Sequence, residues 1–176
     1  NQKIAMGIGW MFERKGVHDY IEIAKDFPDV AFIWFGSMNK LMNTRKINKA
    51  INGKTDNVIL PGYKPQDTII KMLHIADCFL FPSYEETEGI VLLEAMACKT
   101  PVIIRDIGAF DYLTDGFDCL KATTNEGFKT QISKALNEDL TEMVDNAFTL
   151  VKERDLDKVG LKLKAEYEGL LEKNNK

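Results

Sequence analysis

Glu86 and Glu94 lie on either side of Gly89, at the point where a polar loop gives way to an apolar run. The loop reads Glu85-Glu86-Thr87-Glu88, and the run reads Gly89-Ile90-Val91-Leu92-Leu93-Glu94-Ala95-Met96-Ala97-Cys98. A segment apolar nearly all round is the pattern of a buried helix. Glu94 is a carboxylate in the middle of it, costly unless hydrogen-bonded or facing a wet cleft. Two readings stay open for Glu94: a backbone group or an arginine holds it for structural reasons, or it faces a cleft. Gly89 opens the helix, so the N–H groups of Ile90, Val91 and Leu92 fall among its unpaired first-turn donors. With the positive end of the helix dipole, these donors suit an anion. Carboxylates accept hydrogen bonds from hydroxyls. An anion at the helix start with a carboxylate on each side therefore suits a phosphorylated polyol. Glu86 taken alone is an ordinary loop acid.

A second group precedes another predicted helix. Arg14 and Lys15, followed by Gly16, are cationic partners for a phosphate or a solvated pair beside Glu13. Gly7 and Gly9 give GxG at a strand end, followed by Gly16. That spacing is wrong for the dinucleotide fingerprint, and close approach of backbone or ligand at a cleft floor is the better account. Arg105 directly follows a buried strand and either faces the cleft or pairs with Glu94. Asp106 and Gly108 line the pocket or only form a turn. His18 and His74 sit within helix patterns and receive no chemistry. Asp77 ends a helix as a turn residue.

The elements that position these residues follow from periodicity. Strand patterns cover 4–10, 30–35, 58–60, 78–81, 101–104 and, briefly, 120–122. The runs Val30-Ala31-Phe32-Ile33-Trp34-Phe35 and Cys78-Phe79-Leu80-Phe81 are apolar without alternation, as in a parallel sheet covered on both faces. Val17, Tyr20, Ile21, Ala24 and Phe27 follow helical spacing up to Pro28. A polar helix over 38–52, with a weak stripe of Leu41, Ile47 and Ile51, should be exposed. Pro65 starts a helix whose apolar face is Ile69, Ile70, Leu73 and Ala76. A short helix is expected at 110–113. Three stripes close the chain: Phe128, Ile132, Ala135 and Leu136; then Leu140, Met143, Val144, Ala147, Phe148 and Val151; then Leu156, Val159, Leu163, Tyr167 and Leu170. Strand and helix alternate throughout, which predicts an α/β fold with a doubly wound, mostly parallel sheet and extra C-terminal helices. In such sheets ligands bind outside the carboxyl ends of the strands. Those ends carry the loops 11–16, 36–39, 62–66, 82–89 and 105–109.

With 176 residues, 45% of them hydrophobic, the chain suits one domain with a full core, spanning 1–176. The excess of 27 acidic over 23 basic residues leaves −4, which argues against a nucleic-acid partner. Cys78, Cys98 and Cys119 are odd in number and scattered, and with two histidines no metal site is expected. Reduced cytosolic thiols are the expectation. No run approaches a membrane span and no signal peptide is expected. The chain opens almost directly into a strand pattern without an initiator Met, so it is expected to be cut from a longer protein.

These blocks together resemble the nucleotide-sugar-binding half of a retaining GT-B glycosyltransferase of family four. Pro82-Ser83, then Glu86 to Glu94 as E-x7-E, then Ala95-Met96-Ala97 and Pro101-Val102-Ile103 carry the likeness. Lys15-Gly16 before Val17, the strand closed by Gly36, and the block from Val58 to Tyr63 support it. The resemblance implies a Rossmann-like C-terminal half, with the N-terminal acceptor domain absent. It assigns Glu94 to the donor's ribose hydroxyls, Glu86 and its loop to the transferred sugar, and Lys15 to the diphosphate. The diphosphate would also meet the helix start at Gly89, Ile90, Val91 and Leu92. Backbone around Tyr63 and Lys64 would meet the base. The family's arginine after the first strand is replaced here by Trp10, and Arg14, Arg105 or a charge from elsewhere would substitute for it. The usual glycine-aromatic-glycine after the first acid reads Thr87-Glu88-Gly89.

The texture FERKGVHDYIE, FIWFG and FPSYEETEGIVLLEA is similar to Gram-positive glycolipid synthases, which glucosylate diacylglycerol from UDP-glucose. That likeness implies a hexosyltransferase using a UDP-sugar, without a cofactor or metal. It implies a lipid acceptor at the membrane surface and a cytoplasmic protein peripheral to the inner face. The fragment alone is expected to be inactive. Two other functions fit the same architecture: a GT-B epimerase, and a non-catalytic doubly wound regulatory domain. A phospho-acceptor receiver needs clustered acids at early strand ends, and Gly9-Trp10 supplies none.

Overall fold

The structure, a computed structural model, describes residues 2–37 and 44–174. Six parallel strands form one sheet: β1 (Lys3–Ile8), β2 (Val30–Phe35), β3 (Val58–Gly62), β4 (Cys78–Phe81), β5 (Val102–Arg105) and β6 (Leu120–Ala122). Their order is β3-β2-β1-β4-β5-β6. Helices α1 (Val17–Ala24), α2 (Arg45–Asn52), α3 (Gln66–Ile75), α4 (Ile90–Ala97) and α5 (Asn125–Asn137) link or follow the strands. Then come α6 (Thr141–Lys152) and α7 (Leu156–Asn174). The chain starts mid-sheet, winds out to β3, and returns to place β4 on the other side of β1. Connections therefore leave β1 and β4 in opposite directions, and a crevice opens at their carboxyl ends.

Strand side chains alternate between two cores. Ala5, Phe32, Leu80 and Ile103 join Tyr20, Ile21, Phe128 and Ile132 on one face. Met6, Phe79, Phe81 and Ile104 join Leu73, Leu92 and Met96 on the other. Both faces are dry, so the central strands carry no polar alternation. The Tyr20 hydroxyl, fully buried in the first core, is satisfied: it donates to the Ala5 carbonyl at 2.7 Å.

Several expectations need correction. Helix α4 is not buried all round. Leu92, Ala95 and Met96 are buried, but Ile90 is 66% exposed and Ala97 is exposed, because only one face meets the sheet and these two lie on the side toward α6 and the start of α7. The helix predicted over 38–52 is described as Arg45–Asn52, and it is not wholly exposed: Ile47 is buried in the first core. Leu41 lies outside the described residues. β1 ends at Ile8, not Trp10; beyond it the Gly9 carbonyl accepts from the Trp34 ring at 2.9 Å. The short helix expected at 110–113 is a single 3-10 turn, Gly108–Phe110. The third C-terminal stripe is not core: Leu156, Val159, Leu163, Tyr167 and Leu170 are all exposed along α7. Among the described residues no helix is long and apolar enough to cross a membrane.

Candidate functional site

At the carboxyl ends of β1, β2 and β3, walled by α3 and α4, lies a cleft of about 390 Å³. Gly9, Gly36 and Ser37 lie at its base. The Gly9 amide donates to the Phe35 carbonyl at 2.9 Å. A Cβ on Gly36, which has φ +143°, would lie 2.0 Å from the Gly9 carbonyl oxygen. The two backbones meet there as closely as glycine allows, the close approach expected near Gly9.

Lys15 enters the cleft from a short turn, Glu13–Lys15, closed by Gly16 in the left-handed region at φ 70°. A Cβ on Gly16 would stand 2.2 Å from the Pro82 carbonyl oxygen. The loop after β1 is thus pressed against the loop after β4. The Tyr84 amide ties them again by donating to the Arg14 carbonyl at 2.7 Å. Lys15 Nζ donates to Glu86 Oε1, and only 15% and 8% of these side chains are exposed. One of the three ammonium donors is committed in this way.

Gly89 caps α4 with φ 72° and no side-chain cap. A Cβ there would press on Phe110 and Phe81 at 3.2 and 3.3 Å. The Leu92 amide is not free as expected: it donates to the Gly89 carbonyl at 2.8 Å. Among the described residues no acceptor meets the Ile90 and Val91 amides. The Val91 side chain lines the cleft, whereas that of Ile90 points away from it.

Glu94 is half-buried rather than buried, and it lines the cleft. Its Oε1 accepts from the Gln66 amide nitrogen at 2.7 Å. It is not paired with Arg105, which also does not face the cleft. Arg105 is 5% exposed and spends its guanidinium on the Pro82 and Thr123 carbonyls, both at 2.9 Å, and on Asp19 Oδ2 at 2.7 Å. Arg105 therefore cannot substitute for the arginine missing after β1. Arg14 is exposed and lies outside the cleft lining. Trp10, 54% exposed and stacked on Phe12, stands at the cleft lip. Tyr63, 76% exposed, and Lys64 form the outer rim.

The remaining candidates are structural. Neither Asp106 nor Gly108 lines the cleft; Asp106 meets Lys121 at 3.1 Å, and Gly108 starts a turn. Asp77 accepts from the Ile4 amide at 2.8 Å. His74 is exposed. His18 is buried and stacked on the Tyr84 ring, and burial lowers its pKa. Cys78 and Cys119 are buried free thiols, and burial pushes the Cys78 thiol up to about 12. Among the described residues no cluster of His, Cys, Asp or Glu could hold a metal ion. Sequence reasoning missed Gln66 and Ser37. Gln66 opens α3 directly after Pro65, but nothing in that position foretells that its amide reaches Glu94.

Residues 1–149 match the model of the family described as glycosyl transferases group 1. The chain is 47% identical over 172 residues to a processive diacylglycerol alpha-glucosyltransferase of Acholeplasma laidlawii, covering 97% of this chain and 52% of that protein. It is 33% identical over 119 residues to an alpha-galactosylglucosyldiacylglycerol synthase of Streptococcus pneumoniae, covering 66% of this chain and 32% of the relative. The chain thus spans about half or less of these relatives' length. Among solved structures, Anabaena HepE in complex with UDP and glucose superposes with a TM-score of 0.86 at 18% identity, over 96% of this chain and 49% of that one. A sucrose-phosphate synthase of Thermosynechococcus elongatus superposes at 0.84 with 20% identity, over 97% and 46%. These two likenesses are of fold.

Proposed function

Because the chain belongs to the group 1 glycosyl transferase family, we propose that it is the donor-binding half of a hexosyltransferase acting on a UDP-sugar. Glucose is the sugar, and diacylglycerol or a glycolipid built on it is the acceptor. The names of the two glycolipid-synthesising relatives support that choice. One observation carries the donor reading: Glu94 stands in an open cleft, braced by Gln66, on a helix whose Ile90 and Val91 amides meet no acceptor among the described residues.

In this reading Glu94 accepts from the ribose hydroxyls while Gln66 holds its carboxylate in one rotamer. The Ile90 and Val91 amides and Lys15 take the diphosphate. As the glycosidic bond breaks, charge gathers on that leaving group, and fixed donors aimed at it lower the barrier. Glu86, held by Lys15, meets the transferred hexose, and backbone at Tyr63 and Lys64 meets the base. Lys15 and the amides supply the positive charge, so the scheme calls on no metal ion. UDP-glucose is an α-glycoside, so an α-product means retention, as the name of the first relative suggests. The acceptor is held by a second, N-terminal domain, and the full protein works at the inner membrane face without spanning it. This chain by itself binds donor and turns nothing over.

The test is incubation of the full polypeptide with UDP-glucose and vesicles containing diacylglycerol, with the product resolved by NMR. An α-glucosyl lipid is expected. A β-linked product, or free sugar without lipid product, defeats the proposal.

A further inference from the structure

Behind the cleft, outside its lining, the ends of three strands and the first turn of α1 converge on one buried guanidinium. Arg105 closes β5. Its Nε holds the Pro82 carbonyl where the loop after β4 begins, and its Nη1 holds the Thr123 carbonyl after β6. Its Nη2 reaches Asp19 in the first turn of α1. The Tyr84 hydroxyl donates to the same Asp19 oxygen at 2.6 Å. The guanidinium carbon lies 3.9 Å from the centre of the Tyr84 ring and 5.2 Å from that of Phe128. His18 stacks on the Tyr84 ring with the planes 4° apart, and its Nε2 is 3.4 Å from Asp19 Oδ1.

We propose that Arg105, Asp19 and Tyr84 are positioning residues that set Glu86 against Lys15, an inference that rests on the donor reading above. Stability alone is a poor account of this arrangement. Buried ion pairs are often replaced by apolar residues at little cost, whereas their directional bonds fix register. The bonds here run to the two loops that carry the paired site residues. Tyr84 is two residues before Glu86, and its amide holds the Arg14 carbonyl next to Lys15. Asp19 follows Lys15 by four residues. The Pro82 carbonyl, which crowds Gly16, is the one that Arg105 grips. The path from Arg105 to Glu86 therefore runs through bonded backbone at both ends. The nucleotide-facing residues Glu94 and Gln66 lie outside it, on α4 and α3.

The test uses the full polypeptide and the variants Tyr84→Phe, Asp19→Asn and Arg105→Lys. Tyr84→Phe keeps the ring and its stacking and removes one bond at a side chain that is 44% exposed, so the variant should fold. Displacing a reacting group by about 1 Å costs about 100-fold, so kcat should fall roughly 10- to 100-fold in each variant. UDP affinity by calorimetry should stay within about 3-fold, because Glu94, the α4 amides and Lys15 on its own turn keep their reach to the nucleotide, and the group displaced is the Glu86 carboxylate on the loop after β4. Arg105→Lys should not rescue, because one ammonium cannot serve three acceptors in the guanidinium's fixed directions. Tyr84→Phe with kcat within about 2-fold of wild type overturns the inference, and so does a kcat loss that merely tracks lost UDP affinity and thermal midpoint. A wild-type protein that fails to bind UDP overturns the donor reading itself, and the positioning role with it.

Discussion

Replacing Glu94 by alanine removes the acceptor assigned to the ribose while leaving the proposed diphosphate contacts in place. A carboxylate has about four lone-pair sites, and the Gln66 amide occupies one of them, so a vicinal diol can be met in full. A hydrogen bond to a charged group contributes about 1.5–3 kcal/mol. Glu94 is only half-buried, which places each of two bonds at or below the foot of that range. A combined loss of about 2–3 kcal/mol raises Kd roughly 30- to 150-fold. The assay is calorimetry with UDP and with 2′,3′-dideoxy-UDP on wild type and Glu94→Ala. Wild type should prefer UDP by about that factor, and the variant should bind both equally weakly. Position 94 is mid-helix and alanine is a good helix former, so the fold should tolerate the change. A variant that still prefers UDP over its dideoxy analogue refutes the ribose assignment.

Other perturbations test the scaffold and the charges. Gly16→Ala forces a left-handed L-residue, about 1–2 kcal/mol, and sets a methyl 2.2 Å from the Pro82 carbonyl oxygen. Urea denaturation should show a loss of about 2 kcal/mol or more, and an unchanged midpoint contradicts the close packing of the two loops. His18 is held below its ordinary 6.5, first by burial and then by Lys46 and Arg105, with Asp19 and Glu13 opposing. The unfolded chain then binds the proton more readily, so stability present above pH 6.5 is lost as pH falls below it. His18→Gln should flatten that part of the stability profile, and a slope identical to wild type goes against the burial argument. A thiol reagent at about pH 8 should label Cys98 in the native protein. Cys78 and Cys119 should label only after unfolding, and their prompt labelling contradicts the buried sites.

Much of this protein was written in local patterns. The all-apolar runs of β2 and β4, the helical spacing after Gly16, and the polar-to-apolar step at Gly89 each report an environment that a short segment must have. Parallel wound topology follows from them, because such strands need cover on both faces. Gly89 was readable as a helix start with unpaired amides, but the residues alone left Glu94 open between an acid held for structural reasons and one facing a cleft, and only the fold put it on the cleft lining. What local pattern does not carry is the partner across space. Arg105 follows a buried strand, so a cleft position and a bond to Glu94 were equally open to it. The order of β4, β5 and β6 turned it instead toward Asp19, 86 residues away. The Leu92 amide, free by counting, closes on Gly89 because the first turn tightens. The last stripe of leucines is amphipathic by spacing yet meets no core, since period specifies a face and only packing supplies the surface opposite. Sequence alone thus determined the alternation of strand and helix and the polar groups set at strand ends, because those are properties of neighbours along the chain. The tertiary structure decided which side chains hold one another, because a hydrogen bond's partner is set by the sheet order that brings distant segments within three ångströms or so.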